Sequence, residues 1–346
     1  MEDHGAETKT WFQDHKRPSP DAPLCFGYDP DTHEYYTDWY TTPEGHYGYD
    51  SLEDLDHLYR LVVQSWRLEC PLVLLARQAP RYPLFFDIDL TGKPGVSIDE
   101  MDELTCRFPD GVLMRSIAAS VLELYPQFNN GLEVCVFTSS GFSTREKAPK
   151  SSFHLVFPQI IVNRARKCFQ EDLDSCENRE DPRHLMILYH VVCNLTVGSS
   201  YEGSPLAELR ETLLRASGAH VAAEENGQTF LSCDWNEMID DRPVWHEPDP
   251  LSASGLRLPY TDKPREGRPL LPAARFRYSN PESEGDEDWP PRYQIDRLAD
   301  LDPVEWVRQG DISRPLEQVA LTSWNKEALH PQAQQELRCP VCKGTE

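Results

Sequence analysis

The chain has 346 residues, with 34 Lys and Arg against 58 Asp and Glu, a net charge of −24 and a pI of about 4.8. That length can bury one large core or two small ones. No apolar run reaches the roughly 18 residues a bilayer span needs, and Met1-Glu2-Asp3-His4-Gly5 is no signal peptide, so the ten cysteines read as reduced thiols of an intracellular protein without a membrane segment. The acidic balance excludes a generally nucleic-acid-binding surface and confines phosphate chemistry to locally basic stretches.

In chain order, residues 1–50 are rich in Tyr, Asp, Pro and Gly with little periodicity, and read as an aromatic-rich extension. Ser51 with Asp54 makes a capping pattern, and Leu55, Leu58, Leu61, Val62 and Trp66 follow at helical spacing. Residues 71–76 read as a strand, 84–90 as a buried strand, 115–125 as an amphipathic helix, and 132–138 and 152–162 as strands. A helical insertion is expected over about 164–228, with helices at 181–193 and 205–217. Short strands follow at 230–233 and 256–258. Residues 281–291 are acidic and Pro-bearing and read as a flexible linker. In the tail, 292–346, Leu298, Leu301, Val304, Trp306 and Val307 have partly helical spacing. They serve either a docking tail or a helix packed back on the core.

Three stretches carry chemistry. In Phe85-Phe86-Asp87-Ile88-Asp89 the alternation puts Asp87 and Asp89 on one face of a strand and Ile88 on the other. Two carboxylates roughly 7 Å apart repel unless a cation sits between them, and hard oxygen ligands suit Mg²⁺ or Mn²⁺. In Lys150-Ser151-Ser152-Phe153-His154-Leu155-Val156-Phe157 the apolar residues alternate with Ser152 and His154. The strand should therefore bury its aromatic face and present Lys150, Ser152 and His154 on the other as donors for phosphate oxygens. An i, i+2 Ser and His on one strand, without a Gly-x-Ser-x-Gly elbow, does not make a nucleophile and its base. From residue 141 to 170 six bases face the single acid Glu146, a basic island in an acidic chain. The third stretch, Asp240-Asp241-Arg242-Pro243-Val244-Trp245, offers another carboxylate, and Arg257 and Lys263 in Leu-Arg-Leu-Pro-Tyr-Thr-Asp-Lys can neutralise a triphosphate.

In that order, Asp-x-Asp after an apolar strand, Lys-x-Ser-x-His before an apolar run, an Asp followed by Val and an aromatic, and an Arg six residues before a Lys resemble the archaeo-eukaryotic primase superfamily. The closest branch holds the eukaryotic primase-polymerases and the primases of herpesviruses and large DNA viruses. The resemblance covers roughly residues 55 to 280. It implies an α/β (α+β) fold in which a small N-terminal α/β module packs on an RRM-like antiparallel sheet that carries the catalytic carboxylates. The catalytic core would span 51–280. It implies Asp87, Asp89 and Asp241 as catalytic ligands of two Mg²⁺ or Mn²⁺ ions, with Asp240 or Asp234 as alternatives for the third. Lys150, Ser152, His154, Arg257 and Lys263 would bind the incoming NTP or dNTP. The implied activity is template-directed primer synthesis or extension on single-stranded DNA, in replication or damage tolerance. It would take place in the nucleus or another DNA-containing compartment such as the mitochondrion, with a helicase or replicative polymerase as partner. A catalytically silent scaffold and a metal-dependent phosphohydrolase or nuclease are the alternatives. Finally, Cys339-Pro340-Val341-Cys342-Lys343-Gly344 is knuckle-like. Structural Zn²⁺ needs four ligands, so either His330 and a distant Cys complete the site or the zinc module is cut short.

Overall fold

A computed structural model describes residues 2–17, 24–25, 28–29, 34–35, 46–92, 97–102, 109–144, 147–163, 165–166, 183–197, 239–240, 245–246, 255–263, 267–279, 293–316, 318–331 and 333. Its centre is a seven-stranded antiparallel sheet. The strands are β1 (Arg81–Thr91), β2 (Leu132–Thr138), β3 (Gly141–Ser143), β4 (Ala148–Asn163), β5 (Ile239–Asp240), β6 (Leu271–Ser279) and β7 (Gln294–Arg297), ordered β5-β1-β4-β2-β6-β7 with β3 paired to β4. The chain is thus a mixed α and β fold built on antiparallel pairing. The long strands come from β-branched and aromatic runs such as Leu84-Phe85-Phe86 and Leu155-Val156-Phe157, which fill a pleated surface well. The expectation of one buried face on β4 is corrected, because Ala148 through Phe157 are buried on both faces. The Ser152 and His154 face is covered by the rest of the site rather than by solvent.

Helix α1 (Glu2–Asp14) lies where little periodicity was expected; it buries His4, Thr8, Trp11 and Phe12, a stripe that is half polar. Helix α2 (Leu52–Arg67) starts as anticipated, with Ser51 Oγ accepting from Asp54 N at 3.1 Å, a cap worth about 1 kcal/mol. Leu55, Leu58, Leu61 and Val62 of α2 are buried at helical spacing. The short α3 (Ile98–Asp102) and α4 (Val112–Leu124) precede β2, and α5 (Arg183–Val197) packs on α4. A second, five-stranded ladder of two-residue pieces runs Lys16–Arg17, His46–Tyr47, Leu24–Cys25, Leu75–Ala76, Leu256–Arg257. The strand expected at 71–76 contracts to its last two residues.

The described residues of the tail, up to 333, pack back onto the core, the second of its two expected roles. Strand β7 pairs with β6, and α6 (Pro303–Gly310) is capped by Asp302 Oδ1, which accepts from Val304 N and Glu305 N. Trp306 meets Phe137 edge-on at 5.4 Å. Beyond α6, Asp311 is buried and accepts from Tyr59 Oη at 2.6 Å and from Ser313 N and Oγ. Farther on, Thr322 N donates to Ile161 O, and Asn325 N donates to Leu124 O. Segments 205–217, 230–233 and 281–291 lie outside the described residues, as do Asp234, Asp241, Cys339 and Cys342.

Candidate functional site

Strands β1 and β4 bring the first two chemical stretches together in register. Asp89 is the cross-strand partner of Ser152 and Asp87 that of His154, while Ile88 and Phe153 are paired between them and buried. Directly opposed residues share a face, so the four polar side chains form a two-by-two patch on one side of the sheet. Lys150, one step further along β4, reaches across to Asp89 with Nζ 2.8 Å from Oδ2. His154 Nε2 stands 3.4 Å from Asp87 Oδ1.

The electrostatics follow from enclosure. Burial alone would raise the Asp89 carboxyl, but the Lys150 charge and hydrogen bond, Ser152 and Lys263 together hold it below its ordinary value. The His154 imidazole is pushed down to about 3 by burial and by the nearby Arg257, so it is neutral at physiological pH. One ring nitrogen therefore donates and the other accepts, which suits a phosphate contact better than proton abstraction.

Arg257 arrives from the other ladder. Its backbone pairs with Leu75, and its guanidinium donates from Nη2 to Ser139 Oγ at 2.5 Å and from Nη1 to Arg268 O at 2.8 Å. Burial and the charge of Arg268 lower its pKa, while Asp87, Asp89 and Asp262 act the other way. The loop that carries it is tightly tied: Leu258 N donates to Leu74 O, Asp262 N to Leu72 O and Tyr260 N to Leu270 O. Tyr260 has a φ of 64°, a left-handed conformation that costs a non-glycine residue about 1 kcal/mol or more and must be held by its surroundings. Lys263 donates its backbone N–H to Asp262 Oδ1 at 2.6 Å, and its charge bears on Asp89.

Behind the carboxylates, His184 of α5 fixes β1. A carbonyl only accepts, so His184 Nε2 carries the proton and donates to Phe85 O at 2.6 Å, while Nδ1 accepts from Tyr82 Oη at 3.0 Å. Among the described residues strand β5 pairs with Asp87 and Ile88, and the His184 ring takes the Phe85 carbonyl two residues before that pairing.

Asp87, Asp89, Lys150, Ser152, His154, Arg257 and Lys263 thus converge from three parts of the chain. Of the third stretch, Asp240 is described in its backbone, and its register partner is Asp87. Trp245 pairs through its backbone with Ala165. Among the described residues no three His, Cys, Asp or Glu side chains form a metal-binding group. The pair Asp87 and Asp89 nonetheless fits a cation: Asp89 Oδ1 is buried and makes no hydrogen bond, and an ammonium already lies against Oδ2. His330 donates its backbone N–H to His190 Nδ1 of α5.

No family model and no curated protein matches the chain. Among the described residues no helix is long and apolar enough to cross a membrane.

Residues the motif reading passed over complete the picture. Arg268, Ser139 and Asp262 sit against Arg257, and Gly141, the register partner of Lys150, borders Arg268. Only Gly141 had a visible signal, a glycine opening the basic hairpin that leads to Lys150.

Proposed function

We propose that this chain is a template-directed nucleotidyltransferase of the archaeo-eukaryotic primase type, synthesising or extending primers on single-stranded DNA from NTPs or dNTPs. The observation that carries the reading is the register of β1 and β4. It sets Asp87 and Asp89 against His154 and Ser152 and adds Lys150 at 2.8 Å, so carboxylates and phosphate donors occupy one small buried face. Charge of both signs in one enclosed patch is what a metal-bound triphosphate needs, and a general nucleic-acid surface does not require it.

Asp87, Asp89 and Asp241, or Asp240 or Asp234 in its place, would hold Mg²⁺ or Mn²⁺; the backbone of Asp240 is the register partner of Asp87. Bound there, such ions supply Lewis-acid stabilisation of the attacking 3′-hydroxyl and of the leaving pyrophosphate. The protein's own groups do the rest. Ser152 Oγ and the neutral His154 ring donate to phosphate oxygens without adding charge, and Lys150 and Arg257 offset the triphosphate's charge from two sides. Each of these groups is held by pairing on a strand or a tied loop, so catalysis rests on position and preorganised electrostatics.

The test uses a single-stranded template, all nucleotides and Mg²⁺ or Mn²⁺, with and without a primer. Synthesis is expected in at least one condition, and Asp87→Asn with Asp89→Asn should abolish it while leaving the fold intact by circular dichroism. No product in any condition, or unchanged synthesis by the double variant, overturns the reading.

A further inference from the structure

Arg268 has no place in the motif reading, yet it is 5% exposed and converges on the same point as Arg257. Both guanidiniums are anchored on Ser139: Arg257 Nη2 on its Oγ, and Arg268 Nη1 on its carbonyl at 3.1 Å. Ser139 N in turn donates to Ser152 O at 2.9 Å, so the two arginines stand one residue from the Ser152 and Asp89 pair. Like charges brought together away from water repel; here the Asp262 carboxylate bears on both guanidiniums, and Asp87 and Asp89 also bear on Arg257.

The backbone leaves room for this. Gly141 lies opposite Lys150 in the β3–β4 register, and a Cβ at Gly141 would meet Arg268 Cδ at 2.8 Å and Cγ at 3.2 Å. The stem of Arg268 crosses the hairpin at the step that carries Lys150, through space that only glycine leaves open. Two independent features, the shared Ser139 anchor and the gap at Gly141, therefore direct Arg268 to the Lys150, Ser152 and Arg257 cluster.

We propose that Arg268 is a second guanidinium of the phosphate site, binding the phosphate chain of the incoming nucleoside triphosphate together with Arg257. This deepens the nucleotidyltransferase reading and rests on it. A triphosphate brings more charge and more oxygens to two planar forks than a monophosphate does, so the second guanidinium contributes more to binding the longer anion. Arg268 is then a determinant of triphosphate over monophosphate selectivity. A merely structural Arg268, tying the 267–270 segment to the end of β2, would instead alter stability and affect both nucleotides alike.

The experiment measures, on the full chain with Mg²⁺, calorimetric affinities for an α,β-methylene nucleoside triphosphate and for the matching monophosphate. Arg268→Gln is expected to weaken the triphosphate by about ten- to a hundredfold, the range for losing a charge-assisted hydrogen bond, and to change the monophosphate by less than about threefold. Arg268→Lys should restore part of the loss. Gly141→Ala, which displaces the stem without changing any charge, should lower the same ratio. If Arg268→Gln fails to fold, the Lys and Gly141 variants decide. Equal losses for both nucleotides, or an unchanged ratio in all variants, overturn the assignment of Arg268 while leaving the function standing. A wild-type chain that binds no triphosphate overturns the function itself, and this assignment with it.

Discussion

Replacing Lys150 by Met separates two roles that one side chain combines. In the structure its ammonium lies 2.8 Å from Asp89 Oδ2, with the two side chains only 10% and 22% exposed. Met keeps the stem and removes the charge, leaving a buried carboxylate supported by Ser152, Lys263 and the Arg257 charge. Breaking a buried pair costs about 3–5 kcal/mol, and the remaining partners bring the expected loss to the lower end, about 3 kcal/mol. At roughly 2–4 °C per kcal/mol for a chain of this order, the melting temperature in EDTA should fall by roughly 6–12 °C. The second effect has the opposite sign. In the wild type a divalent cation must displace the ammonium from Asp89, and in the variant it meets no competitor. Added Mn²⁺ should therefore raise the variant's melting temperature more than the wild type's, with about 2.7 kcal/mol recovered at a hundredfold excess over its dissociation constant. Nucleotide affinity should still fall, since the phosphate contact proposed for Lys150 is removed. Scanning fluorimetry at neutral pH, across a Mn²⁺ series starting from EDTA, reads both effects. Equal melting temperatures in EDTA, or a Mn²⁺ shift no larger in the variant, would refute the reasoning that Lys150 occupies a cation's position.

Two further outcomes follow from other buried groups of the fold. His154 and His184 are both pushed down to about 3, chiefly by burial, so below pH 6.5 the unfolded chain takes up protons that the folded chain refuses. Stability is then full above that pH and falls as pH drops toward 3, by up to about 2–3 kcal/mol per pH unit from the pair. Urea titrations at several pH values test this. His184→Gln should remove about half of the slope, and a flat profile between neutral pH and about 5 would contradict the burial argument. A Cβ at Gly310 would sit 2.4 Å from Pro259 Cγ and 2.8 Å from its Cδ. Gly310→Ala should therefore cost about 1–3 kcal/mol by overpacking, and it should also weaken triphosphate binding, because Pro259 lies between Arg257 and Lys263. Unchanged nucleotide affinity alongside lowered stability would show that the loop tolerates the push.

What could be read from the chain, and what could not, divides along a physical line. Alternation at Asp87-Ile88-Asp89 and Ser152-Phe153-His154 is a local property of the backbone, so the shared faces of these residues were legible before any fold was known. Ser51 as a helix cap is local in the same sense. Arg268 was not legible, because its meaning depends on Gly141 and Ser139, each more than a hundred residues away, and no spacing rule connects a loop arginine to a distant glycine. Helix α1 escaped for a related reason: its buried stripe includes His4 and Thr8, and His4 is accommodated by Ser65 of α2, with Nε2 2.9 Å from its Oγ, and by Thr8 one turn along. The misjudged exposure of β4 is the most instructive case. The alternation points to one buried face with Ser152 and His154 as donors on the other, and they too are buried because Asp87, Asp89, Lys150 and Arg257 pack against them. Polar residues that a fold encloses must satisfy one another or a ligand, so the very feature that misleads a hydropathy reading, a polar strand face with no access to water, is what marks this face as the place where charged substrate would be received.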